Sequence, residues 1–213
     1  AQMGADVIRF DLIGGGLDYK RWPVTKSNDS IYWTAMNKGK RSLAVNLREP
    51  AGQEIVTALI TAPGSDSGIF LTNLQVQPWL EYQTLKSLRH DLIMLKIAGN
   101  PDGSVAVDYT VNARTGWPYV TGPADHDGPI NNVLPGWDLT CGLTAAIGLL
   151  AAERHRGRSG DGQLINLSLA DVAYHLTGSL GYIGDYQING QERPRIGNDM
   201  YGTFGRDFKT SDN

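Results

Sequence analysis

Gly68-Ile69-Phe70-Leu71-Thr72 and Leu92-Ile93-Met94-Leu95-Lys96-Ile97 are two short apolar runs, with a helical stretch from Pro78 to Leu88 between them. Runs of this length, bounded by Gly, Pro and Asn, read as buried strands. The stretch between them carries Leu85 and Leu88 on one face, with Leu80 near its start. Strand, helix and strand in that order form a crossover unit whose strands lie parallel. Upstream, Ser42 to Leu47 alternates apolar and polar residues, which predicts another strand. Pro50 then opens a helix at its first turn, where its missing N–H costs nothing. Ile55, Leu59 and Ile60 give that helix its apolar stripe, and Pro63-Gly64 ends it. Val7 to Phe10 is a further strand, followed by the loop Gly14-Gly15-Gly16.

Downstream, residues 100–136 are rich in Gly, Pro, Asn and Asp and read as loop. Leu139 to about Arg156 is the strongest helix. It is apolar nearly all round (Leu143, Ala145, Ala146, Ile147, Leu149, Leu150), which predicts burial. Its basic end, Arg154-His155-Arg156, suits the negative end of the helix dipole. Gly157 to Gly162 reads as a turn, Leu164 to Leu167 as a strand, and Ala170 to about Tyr186 as a second long helix. The fold class is therefore α/β, a parallel sheet flanked by helices.

The 213 residues carry a net charge of −3, which argues for neither nucleic acid nor a membrane surface as partner. The one cysteine, Cys141, excludes a disulfide framework and points to a reducing, cytoplasmic setting. No apolar run approaches ~18 residues, the length of a membrane span, and no signal peptide is visible. His90, His126, His155 and His175 lack ligand spacing, so no metal is expected. Both ends read as cut. The chain enters its first strand almost at once, and Phe204 to Asn213 reads as a strand entering a turn at Ser211-Asp212-Asn213.

Three features could carry chemistry. Asp138 stands just before the apolar helix, in Pro135-Gly136-Trp137-Asp138-Leu139-Thr140. It reads as an N-cap. It also reads as an ionised carboxylate, favoured by the helix dipole, that could attack a thioester carbonyl. Lys38-Gly39-Lys40-Arg41, with Arg48 after it, is either a solvated surface run or a phosphate site. Gly14-Gly15-Gly16 lacks the GxGxxG spacing and is a weak nucleotide signature. Cys141 reads as a small buried apolar residue rather than a nucleophile.

Several segments, in order and spacing, resemble the class III CoA-transferases. They are Gly4-Ala5-Asp6-Val7-Ile8-Arg9, Asn37-Lys38-Gly39-Lys40-Arg41-Ser42-Leu43, Asp138-Leu139-Thr140-Cys141-Gly142 running into Ala145 to Ala152, and Gly160-Asp161-Gly162-Gln163. The resemblance covers essentially the whole chain. It implies a Rossmann-like open parallel sheet with flanking helices, the large domain of such an enzyme, truncated at both ends. Residues 1–186 would be the partial large domain, and 187–213 a linker and the start of a small domain. It implies two subunits threaded as interlocked rings, no prosthetic group, and coenzyme A as part of an acyl-CoA substrate. It makes Asp138 the nucleophile, attacking the thioester to give a mixed anhydride and then an aspartyl–CoA thioester.

The same resemblance puts Lys38, Lys40, Arg41, Arg48, Asn73 and the backbone around Val45 and Leu47 on CoA-binding positions. Segments such as Gly14 to Pro23 and Leu150 to Arg156 match members that move CoA between two carboxyls of one substrate. Transfer between two different acids is the alternative, and a non-catalytic CoA-binding fragment a third. Racemisation is disfavoured, because Val107 stands where racemising members carry a His base. Arg21, Tyr109, Tyr201 and Arg206 are candidates by residue type for holding the substrate's free carboxylate.

Overall fold

A computed structural model of the chain describes residues 1–75 and 77–212. They divide into two compact units.

The first unit comprises Ala1–Gly68 and the segment that ends at Arg89. β1 (Ile8–Asp11) and β2 (Arg41–Ala44) pair in parallel, Ile8 opposite Arg41 and Asp11 opposite Ala44. Between them lies α1 (Ile31–Met36), whose N-cap Ser30 accepts the Trp33 N–H at 3.0 Å. α2 (Pro50–Ile60) begins on its proline and buries Gly52, Val56 and Ile60, one residue per helical turn. Gly52 is required there, because a Cβ would stand 2.0 Å from the Asn46 carbonyl oxygen. A 3-10 turn (Pro78–Leu80) leads into α3 (Tyr82–Leu88). Arg89, directly after α3, is buried. It donates to the Ala62 carbonyl, to the Gly64 carbonyl at 2.7 Å and to Ser67 Oγ at 2.7 Å, tying down the loop that follows α2.

The second unit is built on a parallel sheet in the order β3 (Ile69–Thr72), β4 (Ile93–Ala98), β5 (Leu164–Ser168). Ile69 pairs with Ile93, and Met94 with Leu164. β4 is central, and its Ile93, Met94 and Leu95 are fully buried, as an unbroken apolar run in a parallel sheet should be. The helices are α4 (Asp108–Thr115), α5 (Trp117–Val120), α6 (Gly136–Ser159), α7 (Leu169–Ser179) and α8 (Tyr182–Asn189). Val111, Cys141, Leu169, Ala170, Val172 and Ala173 form a buried cluster, with Ile97, Trp137 and Leu176 packed against it. Ser168 caps α7 by accepting the Asp171 N–H at 2.9 Å.

The parallel α/β reading holds, with several corrections. Among the described residues the strands form two separate sheets rather than one. β2 ends at Ala44, short of Leu47, and the helix expected from Pro78 to Leu88 breaks at Glu81. The expected loop 100–136 contains α4 and α5, and α1 was not foreseen. The long helix after β5 is two helices, divided where Gly181 takes a left-handed φ of 83°. No strand forms after Phe204 among the described residues, and Asn213 lies outside them.

α6 is not buried on all sides. Its small residues, Cys141, Ala145 and Ala152, face inward, while Leu143 and Ile147 are 68% and 67% exposed. Small side chains let a helix approach its neighbours closely, so the inner face goes to Cys and Ala and the large aliphatics are left outside.

Candidate active site

The first turn of α6 is held by a residue from another helix. Asp108, the first residue of α4, is only 3% exposed. Its Oδ2 accepts the backbone N–H of Trp137 at 2.7 Å and of Asp138 at 3.1 Å. These are two of the four N–H groups that a helix start leaves without an internal partner. The Trp137 indole Nε1 donates to Asn112 Oδ1 at 3.0 Å, and Asn112 Nδ2 donates to Asn131 Oδ1 at 2.7 Å. Asn112 is 1% exposed, so the network is a buried one that ties α4, α6 and the loop at residue 131 together.

Asp138 is therefore not the N-cap. The helix starts three residues earlier than its apolar pattern suggests, at Gly136, with Pro135 in the cap position and no side-chain cap of its own. Asp138 is the third residue of α6. It is exposed and stands in the positive first turn of a 24-residue helix, where a negative charge is favoured. One turn on, Cys141 is buried. Burial pushes its thiol up from the ordinary range, and the nearby Asp138 charge adds to the shift. A thiol shifted that way stays protonated at neutral pH and is a poor nucleophile, in keeping with a packing role.

The basic residues of the first unit are largely engaged. Arg41 pairs with Asp6 at 2.8 Å, and Lys40 Nζ donates to Asn37 Oδ1 at 3.1 Å. Burial and then Arg9 draw the Lys40 amine down from its usual range, against an opposing pull from Asp11. Lys38 and Arg48 are exposed. The Val45 N–H donates to the Asp11 carbonyl, and the Leu47 carbonyl accepts from Gln53 Nε2. Gly14 to Gly16 closes against its own strand rather than a helix: a Cβ on Gly16 would stand 2.4 Å from Asp11 Oδ1. Asn73 belongs to the second unit, exposed just after β3.

The four substrate candidates divide between the units. Arg21, in the first unit, pairs with Asp18 at 3.2 Å and stacks on Tyr32. Tyr109 is exposed at the start of α4, and Arg206 is exposed in the coil near the end. Tyr201 reaches a cavity through a neighbouring arginine. Its ring stacks against the guanidinium of Arg193, which lines a cavity of about 550 Å³ beside α4, α5, α7 and α8. Sequence reading missed Arg193. It stands in Gln191-Glu192-Arg193-Pro194-Arg195, a coil with no periodicity to mark it. Asp108 was missed too, since its role depends on a contact with a residue 30 positions away.

Among the described residues no helix is long and apolar enough to cross a membrane. A family model described as CoA-transferase family III matches residues 1–213. The chain is 54% identical over its full length to 2-methylfumaryl-CoA isomerase of Chloroflexus aurantiacus, covering 52% of that protein. It is 31% identical to succinyl-CoA:mesaconate CoA-transferase of Haloarcula marismortui, over 93% of this chain and 52% of that one. The crystal structure of a CAIB/BAIF family protein from Brucella suis superposes with a TM-score of 0.78 at 27% identity, covering 92% of this chain and 53% of that one. The chain thus spans about half the length of the curated relatives it matches.

Proposed function

The chain belongs to CoA-transferase family III, and from that premise we propose that it carries the nucleophile of an enzyme that moves CoA between the C1 and C4 carboxyls of mesaconate. The reaction is conversion of 2-methylfumaryl-CoA to 3-methylfumaryl-CoA. The observation that carries this reading is the 54% identity to 2-methylfumaryl-CoA isomerase across all 213 residues. The exposed carboxylate in the first turn of α6 supports it chemically.

In this mechanism a carboxylate oxygen of Asp138 attacks the thioester carbonyl and expels CoA thiolate, leaving a mixed anhydride. The thiolate attacks the aspartyl carbonyl, releasing the mesaconate carboxylate and forming an aspartyl–CoA thioester. The other carboxylate of the same mesaconate attacks that thioester and expels the thiolate, which then attacks the mesaconyl carbonyl and frees Asp138. Holding mesaconate between the two halves makes the return step effectively unimolecular. Asp108 fixes the backbone beneath Asp138 throughout, and thereby its direction of approach. Lys38, Lys40, Arg41, Arg48, Asn73 and the Val45–Leu47 backbone contact CoA. Residues 1–186 form part of the large domain and 187–213 lead toward a second one. The complete protein is a cytoplasmic, interlocked homodimer.

Trapping tests this reading. Full-length enzyme incubated with 2-methylfumaryl-CoA and then hydroxylamine should be modified at Asp138; full activity with Asp138 unmodified would sink it. A second reading is transfer between two different acids, favoured by the similarity to succinyl-CoA:mesaconate CoA-transferase. Labelled free mesaconate separates the two: label entering the CoA ester during turnover supports the second reading.

A further inference from the structure

The cavity of about 550 Å³ in the second unit falls within the size range of sites for small organic molecules. Trp117, Tyr119, Tyr182 and Tyr186 supply much of its wall, and Arg193 and Glu192 its charge. The Arg193 guanidinium lies 4.6 Å from the Tyr182 ring centre, 4.6 Å from that of Tyr201 and 5.9 Å from that of Trp117. Stacking on rings uses the faces of a guanidinium and leaves its edges to hydrogen-bond. Yet Nε and Nη1 of Arg193 are buried and have no hydrogen-bond partner.

Buried donors without an acceptor are rare, because each has given up water for nothing. Two residues on, Arg195 shows what a structural arginine does in this segment. Its Nε too lacks a partner, but both terminal nitrogens donate to backbone carbonyls, those of His126, Tyr119 and Gly128 among them. Arg193 has no such set. An acceptor that matches a guanidinium and enters a ring-lined cavity is a carboxylate on a flat, π-rich body.

We infer that this cavity binds a small unsaturated organic acid, its carboxylate accepting from Arg193 and its body lying against the Trp117 and Tyr182 rings. The site stands independently of the transferase reading; only the identification of the acid with that enzyme's substrate rests on it. The test is calorimetric titration of full-length protein carrying Asp138→Asn, so that nothing is turned over, with mesaconate, its neutral dimethyl ester and inorganic phosphate as probes. Mesaconate should bind at least about tenfold more tightly than either control. Arg193→Met should weaken it by roughly 10- to 100-fold, and Arg193→Lys by less. Binding should quench a fluorescence component that Trp117→Phe removes.

In the active enzyme, a raised KM with kcat retained in Arg193→Met assigns the cavity to the substrate acid. Unchanged kinetics alongside lost mesaconate binding assigns it to a separate acid. Equal mesaconate affinity in the presence and absence of the Arg193 guanidinium, or phosphate binding as tightly as mesaconate, overturns the inference. Neither result depends on Asp138 reacting, so failure here is distinct from failure of the trapping experiment.

Discussion

The two ends of α4 place opposite charges in opposite circumstances. At its start the buried Asp108 carboxylate meets two backbone donors from α6. At its far end, Thr115 and Gly116 border a cavity in which Arg193 has buried donors that meet no acceptor. A helix of eight residues separates its ends by on the order of 10 Å. Burial of a charged side chain is thus no guide to its role by itself. The supply of partners is: a satisfied charge holds the chain together, and an unsatisfied one awaits something from outside it.

Variants can break this contrast. The largest effect belongs to Asp138→Asn, which should lower kcat at least about 1,000-fold by removing the attacking oxygen, followed by chromatography of the CoA esters. Substantial residual turnover would mean that the α4 start supports no reacting group. Next is Asp108→Ala, which takes the charged acceptor from the Trp137 and Asp138 N–H groups and should cost about 3 kcal/mol in urea denaturation; a loss under about 1 kcal/mol would deny the cap its structural weight. Asn112→Leu cuts the link from Trp137 to Asn131 and should cost about 2 kcal/mol by the same measurement.

The other end of α4 should behave differently. Arg193→Met is expected to leave stability within about 1 kcal/mol, since it loses only ring stacking and removes donors that had no acceptor. A much larger loss would make Arg193 structural and erase the contrast. Smallest is the effect at Cys141. Its raised thiol pKa means that iodoacetamide labels it slowly at pH 7, and faster only as pH climbs past the ordinary thiol range, as followed by mass spectrometry.

The sheet was legible because β3 and β4 are short apolar-rich runs bounded by turn residues, although only β4 is buried as expected, while β3 leaves Ile69 and Leu71 exposed. α2 was legible from Pro50 and its apolar stripe. α4 was not, because Asp108 to Thr115 is mostly polar and owes its helix to Val111 and Asn112 being buried from outside the segment. The start of α6 was misjudged because Pro135-Gly136 resembles a turn, which moved Asp138 from first-turn residue to cap. Asp138 itself stood out through its family-like surroundings. Arg193 did not, since a lone arginine in coil carries no local signal and its meaning lies in rings from Trp117, Tyr182 and Tyr201, far apart in sequence.

The cap supplied by Asp108 also sets a clock. Amide protons in the first turn of a helix ordinarily trade with solvent early, because that turn frays on its own. The amides of Trp137 and Asp138 are instead bonded to the start of another helix. Their exchange with deuterated water therefore waits for the Asp108 carboxylate to let go, so two protons beneath Asp138 time the release of a side chain that belongs to another helix.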